Sequence, residues 1–329
     1  MRAVVLTGHG GYERLSLRDD VPVPVPGPDE VLIRIAAAAV NNTDINTRVG
    51  WYSGGGWAGS FQFPRIQGID ACGYVVGVGD GVDESRVGER VLIEPCWRTE
   101  GQPARFFGSE VDGAFAEFTV APTRYAHCAT SGLSDVELAS FPCSYSTAEN
   151  MLTRVRVVAG ERVLVTGASG GVGSAAIQLA VARGAAVAAV ASVDKHAALR
   201  SLGATDVVDR HTDVVATFGA DAFDAVIDVV GGTHWPRLLD ILHPGGRYAS
   251  AGAIADPNVA LDLRTLYLKD LTLYGCTVLN QGVFSALLRH IEQGSIKPLV
   301  AAVLPLREIV AAQEQFLAKR HIGKIVLTV

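Results

Sequence analysis

Apolar and polar positions alternate along this chain in two rhythms. Up to about Thr123, short apolar runs sit between glycine- and proline-rich turns; PVPVPGPDE, for example, leads into VLIRIAAAAV. Such runs predict a β-rich region of the sandwich or barrel kind. From about Ser134 the period lengthens. SDVELASFPCSYSTAENMLTRV has helical spacing, and Ser134 with Glu137 has the form of a capping box. Strand-like and helix-like runs then alternate: ERVLVTG, SAAIQLAVARG, AAVAAVAS, KHAALRSLGA, TDVVD, AFDAVIDVVGG, THWPRLLDILH and GGRYASAG. Alternation at this length predicts a parallel sheet with helices on both faces. VFSALLRHIEQG reads as a later helix and GKIVLTV as a closing strand. The sequence contains no internal repeat.

The first alternating unit carries the clearest chemistry. In VLVTGASGGVGSAAIQLA, Gly167, Gly170 and Gly173 stand at G-x-x-G-x-x-G spacing, with Gly171 as a fourth glycine. They follow a strand and open a helix, the context that a dinucleotide fingerprint requires. Glycines permit the tight turn and let the backbone approach a pyrophosphate. The helix start offers unpaired N–H groups and a positive dipole end.

Composition narrows the class. At 329 residues the chain exceeds the ~250–300 at which single cores usually divide, so two domains are expected. Hydrophobic residues make up 49% and charged ones 19%, as in a globular enzyme. A net charge of −6 gives no basic surface for nucleic acid or anionic membrane. No apolar run reaches the ~18 residues of a membrane span, and the N-terminal run is too short for a secretory signal. Five scattered cysteines without C-x-x-C argue for a reducing cytoplasm.

Ordered segments along nearly the whole chain resemble the medium-chain dehydrogenase/reductases, in their zinc-free quinone oxidoreductase branch. They are MRAVVLTGHGG, VNNTDINTRVG, GIDACGYVVGVG, VGERV, DGAFAEFTV, the glycine turn, DVVGG and IGKIVLTV. The resemblance implies a GroES-like catalytic domain over 1–125 and a Rossmann domain over 126–265. Residues 266–329 would return to the catalytic domain. It implies a nicotinamide in the cleft between the two, with Thr147 beside it and Ser169, Val172, Val230, Gly252 and Ala253 against the cofactor. It also implies a homodimer or homotetramer, joined along LTLYGCT at the edge of the Rossmann sheet.

Zinc-dependent relatives hold their metal with a Cys before T-D, a His in G-H-E and a later Cys. Here those positions read Asn41, Ile69 and Cys143. Asn is a poor zinc ligand and Ile cannot be one, so no metal is expected. Cys143 reads as a small buried residue. For the cofactor, Ser192 stands where NAD enzymes place an acid. Ser192 and Lys195 resemble the S-x-x-K of NADPH-binding relatives, and Arg210 adds a donor for a 2′-phosphate. Asp194 stands close enough to mimic the NAD acid. NADPH is the cofactor expected.

Without zinc, a hydride acceptor must be intrinsically electrophilic: a quinone or an α,β-unsaturated carbonyl. Polar candidates around it are Asn41, Asp44, Asn46, Arg48 and Tyr52, with Tyr52 the better donor. Asp44 serves equally as the cap of a helix beginning around Ile45. Trp51, Trp57 and Phe61 either line an apolar acceptor pocket or belong to an aromatic loop that touches no substrate. Two other function classes share these features: an enoyl-thioester reductase, and a non-catalytic NADPH-binding protein.

Overall fold

The structure, a computed structural model, describes residues 1–54 and 61–329. It divides into two compact units: Met1–Cys143 with Pro298–Val329, and Ser144–Lys297.

In the first unit the strands are β1 (Ala3–Leu6), β2 (Leu15–Arg18), β3 (Glu30–Ala39), β4 (Arg65–Ile66), β5 (Asp70–Val78), β6 (Arg90–Ile93), β7 (Cys96–Trp97), β8 (Arg105–Phe106), β9 (Phe118–Pro122) and β10 (Ala126–Cys128). The C-terminal segment adds β17 (Val300–Pro305) and β18 (Lys324–Thr328). The main sheet runs β10-β6-β5-β3-β18-β17, with β9 also paired to β3. Alternation along β3 buries Val31, Ile33 and Ile35 on one face, where they meet Val75, Val91, Phe107, Phe115 and Ile325. The helices here are α1 (Asn42–Val49), α2 (Asp135–Leu138) and α10 (Ile309–Leu317).

The chain passes into the second unit near the start of α3 (Pro142–Arg154). There β11 (Arg162–Val165), α4 (Gly171–Ala182), β12 (Ala186–Ala191), α5 (His196–Ser201), β13 (Asp206–Asp209), α6 (Val214–Phe218), β14 (Phe223–Asp228), α7 (Trp235–Asp240), β15 (Leu242–Ser250), α8 (Leu263–Leu268), β16 (Thr272–Gly275) and α9 (Val283–Glu292) follow in turn. The sheet is parallel throughout, in the order β13-β12-β11-β14-β15-β16. Sequence order reverses between β11 and β14, the switch point at which doubly wound sheets take ligands. The α/β class with a Rossmann sheet and a separate β-rich domain is therefore the observed one.

Two expectations shift. The helical run of 134–155 breaks into α2 and α3 because Pro142, which has no N–H to donate, opens a new helix. The Ser134–Glu137 box is present: Glu137 N donates to Ser134 Oγ at 3.3 Å, and Ser134 N to Glu137 Oε2 at 2.8 Å. The unit limits also differ from 1–125, 126–265 and 266–329. Residues 126–143 stay with the first unit because β10 pairs with β6. Residues 266–297 stay with the second because β16 extends its sheet and Lys297 N donates to Gln178 Oε1 on α4 at 2.8 Å.

Candidate functional site

Two constellations, one in each unit, hold the residues of interest. In the second unit the turn after β11 is built around glycine. Gly167 has φ +56°, and a Cβ there would stand 2.9 Å from Val229 Cγ2. A Cβ on Gly173 would stand 2.4 Å from Gly167 O and 2.6 Å from Ala168 Cα. Gly170 caps α4, Gly171 and Val172 open it, and Ser169 is half-buried in the turn. The backbone is thus packed tightly on its inner side, which leaves the helix start for an anion.

Asp228, buried at the end of β14, braces this turn. Its carboxylate accepts from Thr166 Oγ1, from Tyr248 Oη at 2.6 Å and from Val230 N at 2.9 Å. Gly252 and Ala253 follow β15 at the same sheet edge; a Cβ on Gly252 would lie 3.3 Å from Val229 O. Thr147 is half-buried on α3.

At the ends of β12 and β13, Ala191 pairs with Asp209, and Arg210 N donates to Ala191 O at 3.1 Å. That backbone bond sets Arg210 beside Ser192. Lys195 is buried, with Nζ 3.4 Å from Asp194 Oδ2. A hydrogen bond from Ser192, then one from Lys195, holds the Asp194 carboxyl below its usual range. Asp194 therefore has partners within the protein.

In the first unit, β5 and β18 flank the end of β3: Ala39 pairs with Asp70 on one side and with Val326 on the other. This register brings residues 41, 70 and 324 together. Lys324 Nζ lies 2.8 Å from Asp70 Oδ2 and donates to Asn41 Oδ1, with both charged side chains buried. Asn41 Nδ2 donates to Asp70 Oδ2 at 2.7 Å and to Ala39 O at 3.1 Å. The other Asp70 oxygen accepts from Cys143 N at 2.6 Å. Asn41 is therefore corrected as a donor for substrate: both its amide hydrogens are committed inside the protein.

Asp44 is not the cap of a helix starting at Ile45. The helix starts at Asn42 with Asn41 as N-cap, and Asp44, three residues on, accepts from Asn41 N at 2.8 Å and Gly68 N at 3.2 Å. Burial pushes its carboxyl up to about 7, against the lowering effect of the Asn41 bond; Asp70 raises it further. Arg48 is likewise internal. It donates from Nε to Gln313 Oε1 at 3.0 Å and from Nη1 to Gly10 O at 2.9 Å.

Tyr52 and Asn46 are held loosely. Tyr52 Oη donates to Thr43 Oγ1 at 3.4 Å and accepts from Asn46 Nδ2 at 3.5 Å. Phe61 stacks against Tyr52 at 6.5 Å, and Trp51 is exposed. Trp57 lies outside the described residues. Among the described residues, no group of three His, Cys, Asp or Glu is placed to hold a metal.

The sequence reading missed Asp70, Lys324 and Asp228. A signal existed for each: a lysine inside the apolar GKIVLTV strand, and aspartates at strand ends in GID and DVVGG.

Comparison with known proteins agrees with this geometry. Residues 27–131 match the alcohol dehydrogenase GroES-like domain, and residues 171–293 match the zinc-binding dehydrogenase family. An acryloyl-coenzyme A reductase of Metallosphaera sedula is 31% identical, covering 100% of both chains. A human quinone oxidoreductase is 28% identical over 99% of this chain and 97% of its own. A candidate alcohol dehydrogenase from Sinorhizobium meliloti 1021 superposes with a TM-score of 0.95 at 47% identity, covering 100% of this chain and 96% of its own.

The chain belongs to the medium-chain dehydrogenase/reductase superfamily, in its quinone oxidoreductase branch.

For a member of this superfamily, an oxidoreductase using a pyridine nucleotide, the glycine turn fits its cofactor. The pyrophosphate needs close backbone approach at a helix start. The Gly167–Gly173 packing, with a Cβ tolerated at neither end, supplies it. Zinc is a different matter. The three positions that bind metal in zinc-dependent members hold an amide bonded on both sides, an isoleucine, and a cysteine whose neighbouring carboxylate is paired with Lys324.

Proposed function

We propose that this protein transfers a hydride from NADPH, without zinc, to a quinone or to the conjugated C=C of an α,β-unsaturated carbonyl. The observation that carries this reading is the Lys324–Asp70–Asn41 network. An ammonium stands there among the positions that would hold metal, so an alkoxide has no Lewis acid to bind it. An acceptor must then spread the incoming charge over its own conjugated oxygen.

NADPH, when bound, supplies the hydride. The glycine turn and the α4 start hold its pyrophosphate. Ser192, Lys195 and Arg210 address the 2′-phosphate, while the Asp194 carboxylate is bonded by Ser192 and Lys195 within the protein. On the acceptor side, Tyr52 Oη is the donor for the developing oxygen. Its long bond to Thr43 exchanges readily for a shorter one to an anion. Asn46 Nδ2 is the second donor.

A second reading is favoured by the Metallosphaera relative, whose name states reduction of acryloyl-coenzyme A. The acceptor would then be an enoyl thioester, reached by the same conjugate hydride addition. A homodimer in a reducing cytoplasm completes the reading. Among the described residues β16 pairs with β15 alone, at the end of the sheet.

The test is NADPH oxidation against quinones, enones, enals and enoyl thioesters, with the products identified and zinc measured. A saturated ketone from an enone, at no stoichiometric zinc, supports the proposal. An allylic alcohol, or efficient oxidation of simple alcohols by NADP⁺, rejects it.

A further inference from the structure

We propose that a cavity in the second unit, separate from the glycine turn, binds a small hydroxy-carboxylate, with Lys297 meeting the carboxylate and His290 and Ser201 accepting from its hydroxyls. This site goes beyond the hydride-transfer reading and does not rest on it.

The cavity has a volume of about 310 Å³ and lies where α4, α5 and α9 end. That volume is at the low end for ligand pockets, enough for a molecule of a few carbons. One wall is Gln178 of α4. Gln178 Oε1 accepts from Lys297 N at 2.8 Å, and Gln178 Nε2 donates to Tyr145 Oη at 3.0 Å. Tyr145 Oη in turn donates to Lys297 O at 2.7 Å. With Gln178 and Tyr145 both buried, these bonds pin the Lys297 backbone to α4.

The Lys297 side chain takes no part in that clamp. It is exposed on the cavity wall, and its ammonium has no hydrogen-bond or ion-pair partner among the described residues. Behind the wall the charges balance: Arg183 Nη2 lies 2.6 Å from Glu149 Oε1, and Glu149 is buried. A chain of net charge −6 thus keeps an uncompensated cation on this wall, which suits an anion.

His290 and Ser201 define the rest of the ligand. Ser295 Oγ has one hydrogen, which goes to His290 O at 3.3 Å. The 2.7 Å contact between Ser295 Oγ and His290 Nδ1 then takes its hydrogen from the ring, so the ring proton is assigned to Nδ1. Burial also holds this imidazole below its ordinary value, so at pH 7 it is neutral and Nε2 is an acceptor. Ser201 Oγ is another acceptor, because its own hydrogen goes to Ala198 O at 2.7 Å. A cation beside two acceptors matches a carboxylate that carries hydroxyls. A bare inorganic anion would leave both acceptors unmet. Gln178 stands about 10 Å along α4 from the helix start, so a ligand here does not displace a nucleotide.

The experiment is calorimetry at pH 7 on the full chain, with and without NADPH, titrating glycerate, malate, propionate, glycerol and inorganic phosphate. Glycerate and malate should saturate a single site, with propionate, glycerol and phosphate at least about tenfold weaker. Lys297→Met should weaken glycerate about tenfold. His290→Asn keeps a donor for Ser295 but removes the Nε2 acceptor. It should bring glycerate down to the level of propionate and leave propionate unchanged. NADPH should not alter glycerate affinity. Absence of saturable binding by either hydroxy acid, phosphate binding as tightly as glycerate, competition by NADPH, or glycerate affinity unchanged in Lys297→Met overturns the inference. None of these results bears on hydride transfer, and a failure of hydride transfer leaves this site standing.

Discussion

Lys324 and Asp70 show how much depends on single buried charges. Each is shielded from water: Lys324 meets Asp70 and Asn41, and Asp70 accepts also from Asn41 Nδ2 and Cys143 N. Removing one partner strands the other. Lys324→Met should therefore destabilise the protein by about 3–5 kcal/mol, read from the urea midpoint. The double variant Lys324→Met/Asp70→Leu should recover part of that loss. Tyr52 is the contrasting case, since its hydroxyl contributes only weak bonds to the fold. Tyr52→Phe should leave stability and NADPH affinity unchanged and slow turnover by about 10²–10³, the cost of one preorganised donor. Unchanged turnover would take Tyr52 out of the reaction.

The decisive element is the β11–α4 turn. Its inner face is closed by backbone: a methyl on Gly173 would stand 2.4 Å from Gly167 O. Gly173→Ala should cost about 1–3 kcal/mol of stability through overpacking and weaken NADPH binding as the turn moves away from the pyrophosphate. Gly132→Ala, an exposed position in the first unit with nothing within 4 Å of the added methyl, is the control and should be silent in both measurements. Equal behaviour of the two variants would show that the turn geometry does not hold the cofactor.

Across the whole molecule, two features give measurable behaviour. The sheet of the second unit ends at β16, which among the described residues pairs with β15 alone, and Leu263, Tyr267, Leu268 and Leu273 are exposed on β16 and α8. An edge of this kind pairs with a second copy or needs protection. Sedimentation should therefore show a dimer that Leu273→Lys weakens; a monomeric wild type would refute this. The second feature is pH dependence. Folding raises the Asp44 carboxyl from 3.8 to about 7, chiefly by burial, so the folded state holds a proton that the unfolded state has released. This contribution is complete below about pH 4 and is lost as pH rises to about 7. His243, raised by its hydrogen bond to Asp224, acts with the same sign above its ordinary value, while His290, lowered by burial, acts against it. The urea midpoint should fall between pH 5 and pH 7, and Asp44→Asn should flatten that fall.

Periodicity and glycine spacing in the sequence already determined the α/β class, the Ser134 cap and the cofactor turn, because each is a local property: a pleat, a helical face, a backbone without Cβ. The place of LTLYGCT as an outer strand came from the family resemblance alone, and the sheet order β13-β12-β11-β14-β15-β16 puts β16 at that end. Residue roles around Asn41 were not legible, because they depend on register between strands far apart in sequence. Only the flanking of β3 by β5 and β18 brings Lys324 and Asp70 to Asn41 and takes its amide away from any substrate. The unit limits were hidden for the same reason. Whether 126–143 and 266–297 join one core or the other is settled by which strand edge they find, and a strand edge exists only once the sheet has formed.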